Sequence, residues 1–286
     1  MSKQQPKLIA AGDNCLDVYL SKGLMTAGGN ALNVAVQWKR DGYDARYIGA
    51  VGDDLGGEII LDRIAASGID ADDVERRPGD TAVTLIRDDG GERTFLLEAL
   101  GVGEHYHPEL LRYQALAEAD WVHLGTHSNP DLVRRLVADG VAFSVDISTA
   151  HDELPLEGVP LVFASASGQS GEALIGELRR KGMRQLVVTG GRQGAWFDDG
   201  SRLWHADARH VDAVDTCGAG DSFIATLIEG LYFRGCAPPE AMRSAAAAAA
   251  LTCLHLGGFP QEPAPIPEAL LRKYRDYQKM PGQTLA

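Results

Sequence analysis

The stretch VDAVDTCGAGDSFIA, residues 211–225, couples a glycine-rich turn to the start of a helix. Gly218 and Gly220 let the backbone turn without Cβ clashes, so the N–H groups of Gly218, Ala219, Gly220 and Asp221 can converge at the positive end of a helix dipole. Such a turn makes a hole for an anion. Asp221 stands beside it, where a carboxylate is suited to take the proton of a hydroxyl attacking a bound phosphate. Phe223, Ile224, Leu227, Ile228 and Leu231 repeat as one buried helical face, and Gly235 falls where a left-handed C-terminal cap belongs. The glycines therefore open the helix, and the chemistry predicted is phosphoryl transfer.

Outward from that turn, apolar runs bounded by turn residues alternate with helical patterns. Strands are predicted at 8–11, 47–51, 121–124, 142–146, 161–164 and 186–189, with helices at 30–39 and 59–66. This alternation predicts an α/β fold with a mostly parallel sheet covered on both faces, and ligands at the C-terminal ends of its strands. Segments 18–24 and 81–97, the latter with the turn Asp88-Asp89-Gly90-Gly91, predict hairpin strands outside that sheet. Six alanines, 245–250, predict a helix packed closely against a neighbour or a flat ligand. Residues after 261 predict a peripheral helix and a loose tail.

A chain of 286 residues with 45% hydrophobic content can bury a large core, and one domain over 1–286 is expected. With 27 Lys plus Arg against 40 Asp plus Glu, the net charge of −13 argues against nucleic acid or an anionic membrane as partner. A nucleotide must then be held by local donors. Cys15, Cys217, Cys236 and Cys253 show no C-x-x-C spacing, which speaks against a disulfide framework or zinc site and fits a reducing cytoplasm. The start carries no secretory pattern and no run is long enough to span a bilayer, so a soluble protein is expected. There is no G-x-x-x-x-G-K-[ST], and Ala11-Gly12-Asp13-Asn14-Cys15 is not G-x-G-x-x-G. Neither a P-loop nor a dinucleotide fingerprint is present.

Asp215, Thr216, Gly218, Ala219, Gly220 and Asp221 resemble the signature D-T-x-G-A-G-D of the ribokinase-like (PfkB) sugar kinases. Further segments match in order: Gly12 and Asp17, the run GGNALN at 28–33, GAVGDDLG at 49–56, and TGGRQG at 189–194. The resemblance implies a three-layer ribokinase-like fold in which 18–24 and 81–97 form a small β lid, often a homodimer contact. It implies ATP as donor, with Asp221 as base and Gly218, Ala219 and Gly220 as the anion hole. Asp17, Gly28, Gly29, Asn30 and Asn33 fall on its sugar side, with Asp13 beside them. On pattern alone Asn30 serves equally well as an N-cap. Thr189, Gly191 and Gly194 would lie along the ATP phosphates, although glycines between two strands also make plain turns.

One departure stands out. Where the family carries N-x-x-E, this chain has Gln169 and Glu172 at that spacing. Glu172 is the candidate for the Mg²⁺ that arrives with ATP, and is equally suited to a helix first turn. A monovalent cation, K⁺, near Asp215 is implied by resemblance only. His105 and His107 fit a polar loop, and His127, after a strand end, lies nearer the expected sugar.

An ATP-dependent sugar kinase is thus expected, against a catalytically silent sugar or nucleotide sensor on the same fold, which has no need of Asp221. The phrases GDNCLDVY, GGNALNVAV and FASA resemble the branch of the family that phosphorylates a fructosamine such as fructoselysine, with Asp13, Glu98 and Glu104 as partners for its amine. Ribose, fructose and 2-keto-3-deoxygluconate are the alternatives.

Overall fold

Strands buried on both faces need helices on both, and the chain supplies them in alternation. The computed structural model describes residues 5–89, 92–150 and 154–279. Its strands are β1 (Lys7–Gly12), β2 (Cys15–Tyr19), β3 (Leu24–Gly28), β4 (Asp44–Gly52), β5 (Val74–Arg77), β6 (Val83–Asp89), β7 (Glu92–Ala99), β8 (Trp121–Leu124), β9 (Phe143–Asp146), β10 (Leu161–Ser165), β11 (Leu186–Thr189), β12 (Ala195–Asp198), β13 (Leu203–Ala206) and β14 (Ala264–Pro265). Nine of them form one sheet in the order β13-β12-β11-β10-β9-β8-β1-β4-β5, parallel from β11 to β5 and antiparallel at β12 and β13.

The helices are α1 (Asn30–Arg40), α2 (Leu55–Ala66), α3 (Leu110–Ala117), α4 (Pro130–Ala138), α5 (Gly171–Arg180), α6 (Ala219–Ile228), α7 (Pro238–Thr252) and α8 (Glu268–Lys273). Period-two alternation divides them between two cores. Leu8, Ala10 and Phe163 face the layer of α1, α2, α6 and α7, whereas Ile9, Ala11 and Val162 face α3, α4 and α5. The alanine run lies on α7, whose Ala241 meets Gly230 so closely that a Cβ there would sit 2.8 Å from the alanine methyl. α6 ends in a single wide turn, Glu229–Phe233, before Gly235 at φ +66°. Among the described residues no helix is long and apolar enough to cross a membrane.

A second sheet, β14-β3-β2-β6-β7, stands apart from the first. β6 and β7 match the expected 81–97 hairpin; Gly90 and Gly91 of its turn lie outside the described residues. The expected strand at 18–24 is corrected. That segment holds the end of β2, a turn with Gly23 at φ +66°, and the first residue of β3, because only glycine relieves the left-handed step there. After 261 the expected peripheral helix is present as α8, and the expected tail lies, from 280 on, outside the described residues. Gln261 exchanges two hydrogen bonds with the backbone of Ala27 (2.9 and 2.8 Å), β14 pairs with β3, and Leu270 and Tyr274 are buried.

Candidate active site

Helix α6 begins where it does because Gly218 takes φ +73° and closes the turn. Ala219 turns its N–H back to the Thr216 carbonyl (3.3 Å), while among the described residues those of Gly218, Gly220 and Asp221 find no acceptor in the chain. The anion hole thus has three open donors, not the four expected. A Cβ on Gly220 would meet nothing within 4 Å, so the hole opens on free space.

Asp221 sits half-buried in the first turn of α6, facing the first turn of α1. Its Oδ1 accepts from Asn30 Nδ2 (2.7 Å) and its Oδ2 from Asn33 Nδ2 (2.6 Å). The asparagines, one helical turn apart, therefore hold the base. Asn30 is not the N-cap: that place falls to Gly29, at φ +110°, whose Cβ would strike Asn14 Cα at 2.4 Å. Glycine at 29 is demanded by the Asp13-Asn14 backbone crossing it, rather than by room for a sugar. Asp13 caps the same helix from across that crossing, accepting from the N–H groups of Asn30 (2.6 Å) and Ala31 (3.2 Å).

Asp146, at the end of β9, escapes the sequence motifs. Asn30 Nδ2 also donates to its Oδ2 (2.8 Å), so Asn30 touches three carboxylates: Asp13, Asp146 and Asp221. Burial first, and the mutual charge of these acids second, outweigh the hydrogen bonds and push Asp221 up to about 7 and Asp146 up to about 7. The one available signal was position, an aspartate closing a strand at the ligand-bearing edge of a parallel sheet. Left-handed backbone at His127, Ser148 and Ser167, just past β8, β9 and β10, marks the same edge as one that departs from regular geometry.

Asp17 on β2 is buried between two thiols, Cys15 Sγ on Oδ1 (3.3 Å) and Cys217 Sγ on Oδ2 (3.4 Å). A Cβ on Gly28 would fall 2.5 Å from Asp17 Oδ2, so this glycine makes room for the carboxylate. Burial and the nearby charges of Asp17, Asp215 and Asp221 push the Cys217 thiol well up. Asp215 accepts from Tyr19 Oη (2.6 Å) and from the N–H groups of Gly257 (3.0 Å) and Cys217 (2.7 Å). Among the described residues no group of three His, Cys, Asp or Glu could hold a metal ion. Asp215 ties β2 to the turn and to the segment at Gly257.

On the other side, Thr189 ends β11 and donates from Oγ1 to the Ala164 carbonyl (3.5 Å). Gly191, at φ +55°, faces open space, but a Cβ on Gly194 would lie 2.1 Å from the Ala206 carbonyl oxygen. Glycine at 194 is thus required by the close passage of β13. Glu172 is exposed in the first turn of α5, beyond β10, and is not joined to the aspartates. A cleft with a volume of about 40 Å³ lies beside the second sheet, lined by Asp13, Thr84, Glu98, Glu104 and His127 among others.

Open N–H groups at a helix start, a hydrogen-bonded carboxylate beside them and a second sheet over a cleft suit the movement of a phosphoryl group to a hydroxyl. The comparisons with known proteins agree. The fructosamine kinase FrlD of Bacillus subtilis (strain 168) is 33% identical over 268 residues, covering 88% of this chain and 93% of that protein. The fructoselysine 6-kinase of Escherichia coli (strain K12) is 32% identical over 260 residues, covering 88% and 99%. The ribokinase of Arabidopsis thaliana, solved with ribose and ATP, shares the fold at a TM-score of 0.76 and 18% identity, covering 97% of this chain and all of that one. The family model described as pfkB family carbohydrate kinase matches residues 7–139 and 149–265. With the match spanning both the segment 28–33 and the glycine turn at 218–221, this chain belongs to the PfkB family of carbohydrate kinases.

Proposed function

We propose that this kinase transfers the γ-phosphoryl group of MgATP to the terminal hydroxyl of a fructosamine such as fructoselysine. The observation that carries the substrate class is the lining of the cleft, which holds Asp13, Glu98 and Glu104 and, among the described residues, no lysine or arginine. An ammonium on the sugar is favoured there and the carboxylate of a sugar acid is repelled. The 33% and 32% identity to kinases named for fructosamines supports the same choice.

In the reaction, ionised Asp221 takes the proton from the attacking hydroxyl as the phosphoryl group departs from ADP. The open N–H groups of Gly218, Gly220 and Asp221 hold the equatorial oxygens in a geometry set before the substrate arrives. Thr189 and Gly191 follow the remaining phosphates, and Glu172 faces the magnesium that they carry. Val214, whose N–H meets the Cys253 carbonyl (2.8 Å), and Leu251 and Leu254 on either side of Cys253 in sequence are exposed apolar residues suited to the base of the nucleotide.

The test is a competition at limiting ATP among fructoselysine, fructose, ribose and 2-keto-3-deoxygluconate. The fructosamine is expected to win by at least about tenfold in kcat/KM, because a substrate without the amine leaves the glutamates unpaired. Victory by a free sugar or a sugar acid rejects the substrate while leaving the kinase in place.

The same site sets a pH dependence. A base works only when ionised, and burial raises Asp221 from 3.8 to about 7, so kcat/KM is expected to fall below neutrality with a midpoint near that value. Rates measured from pH 5 to 9 check it; an acid limb near 4 would mean a well-solvated carboxylate.

A further inference from the structure

His123 lies at the centre of β8, wholly buried, in a position the phosphoryl-transfer reading does not use. Its Nε2 is 3.0 Å from Asn30 Oδ1 and its Nδ1 is 2.9 Å from Ser144 Oγ, which in turn lies 3.1 Å from Trp121 Nε1. The direction of the bonds in this row is fixed from the Asn30 end. The Trp121 indole can only donate, so Ser144 Oγ accepts from it and is left able either to donate its own proton to His123 Nδ1 or to accept from it. At the other end, Asn30 faces the carboxylates of Asp146 and Asp221, and an ionised carboxylate can only accept, so the amide must turn its NH₂ toward them. Its Oδ1 is left for His123, which must therefore carry its proton on Nε2. The ring is held edge-on by Trp38 and Phe163, with centroids 6.5 and 6.1 Å away.

We propose that His123 is a positioning residue for phosphoryl transfer: its Nε2–H locks the Asn30 amide with the donor end on Asp221 and so aims the base at the substrate hydroxyl. Burial pushes the imidazole down to about 3, so it stays neutral while the enzyme works and shuttles no proton. Without this lock, a rotated Asn30 would set its oxygen against two carboxylates, and Asp221 would keep only Asn33 as a partner. The proposal rests on Asp221 being the base.

The test compares His123→Gln, whose amide nitrogen reaches the place of Nε2, with His123→Asn, whose amide reaches only the place of Nδ1. His123→Gln is expected to keep kcat within about threefold, and His123→Asn to lose about tenfold to a hundredfold in kcat with KM for both substrates nearly unchanged, as for a reacting group displaced by about an ångström. In an Asp221→Asn background, His123→Asn is expected to cost nothing further, because the group it aims is gone. Equal losses in the Gln and Asn variants, or an independent loss in the double variant, mean that His123 is merely core and overturn the proposal. Should His123→Asn fail to fold, Ser144→Ala leaves the ring in place but frees its tautomer; a drop in kcat at constant KM supports the lock, and an unchanged kcat overturns it. An Asp221→Asn enzyme that still turns over normally rejects the base itself, and the lock with it. A dead Asp221→Asn beside indifferent His123 variants removes the lock alone.

Discussion

Asp221→Asn is expected to lower kcat by about two to four orders of magnitude, the range for loss of a positioned general base, while raising the melting temperature above pH 7. The first effect follows from the roles: the anion hole and both asparagines remain, but nothing accepts the proton. The second follows from linkage. The folded-state pKa is raised from 3.8 to about 7, so the folded state holds this proton more tightly, and stability is lost as pH climbs from the unfolded value through the folded one. A neutral amide removes that cost. The gain is on the order of 4 kcal/mol at pH 8, several degrees in a chain of this size, and vanishes near pH 4. The pocket can accept the amide because Asn33 Oδ1 is buried without a partner and can turn to receive an N–H. Melting curves at pH 4.5 and 8, beside kcat, check both halves; near-normal turnover would sink the assignment.

Gly218→Ala is expected to cost about 3–5 kcal/mol, from left-handed backbone in a residue with a Cβ and from overpacking together. The added methyl would stand 2.4 Å from Gly258 Cα and 2.5 Å from its carbonyl oxygen, and backbone cannot rotate aside as a side chain can. Gly220→Ala in the same turn is the control. Its methyl meets nothing within 4 Å, so stability should hold or rise slightly with helix propensity, while the KM for ATP rises because the methyl enters the phosphate space. Denaturant unfolding of the two variants separates a glycine needed by the fold from one needed by the ligand. A Gly218→Ala protein of native stability would refute the close approach.

What was legible in the sequence was local. The turn at 218–221 announces itself because its glycines, its acid and its helix are contiguous, and strands such as 121–124 and 186–189 are apolar runs bounded by turns. Asp146 and His123 were hidden because their meaning lies in bonds to Asn30 across 116 and 93 residues, which no spacing reports. Gly28, Gly29 and Gly194 could be seen as special but not explained, since what crowds each of them is carried by a distant segment. The turn at Gly23 was masked by Leu20 and Leu24, whose apolar character extends the apparent strand. The helix after 261 was legible, but its anchors were not, because a backbone exchange with Ala27 and a two-residue pairing leave little hydrophobic pattern.

That two-residue pairing has a consequence for association. An exposed sheet margin is a template on which another chain can add a strand, and proteins blunt such margins with short strands and proline. β14 does both, since it is two residues long and its Pro265 has no N–H to offer. One margin of the second sheet is thereby closed to strand addition. The other is β7, eight residues long, where Phe95 is 37% exposed. Any assembly that extends this sheet must grow from β7, so pairs of molecules can zip together edge to edge but cannot propagate into a filament.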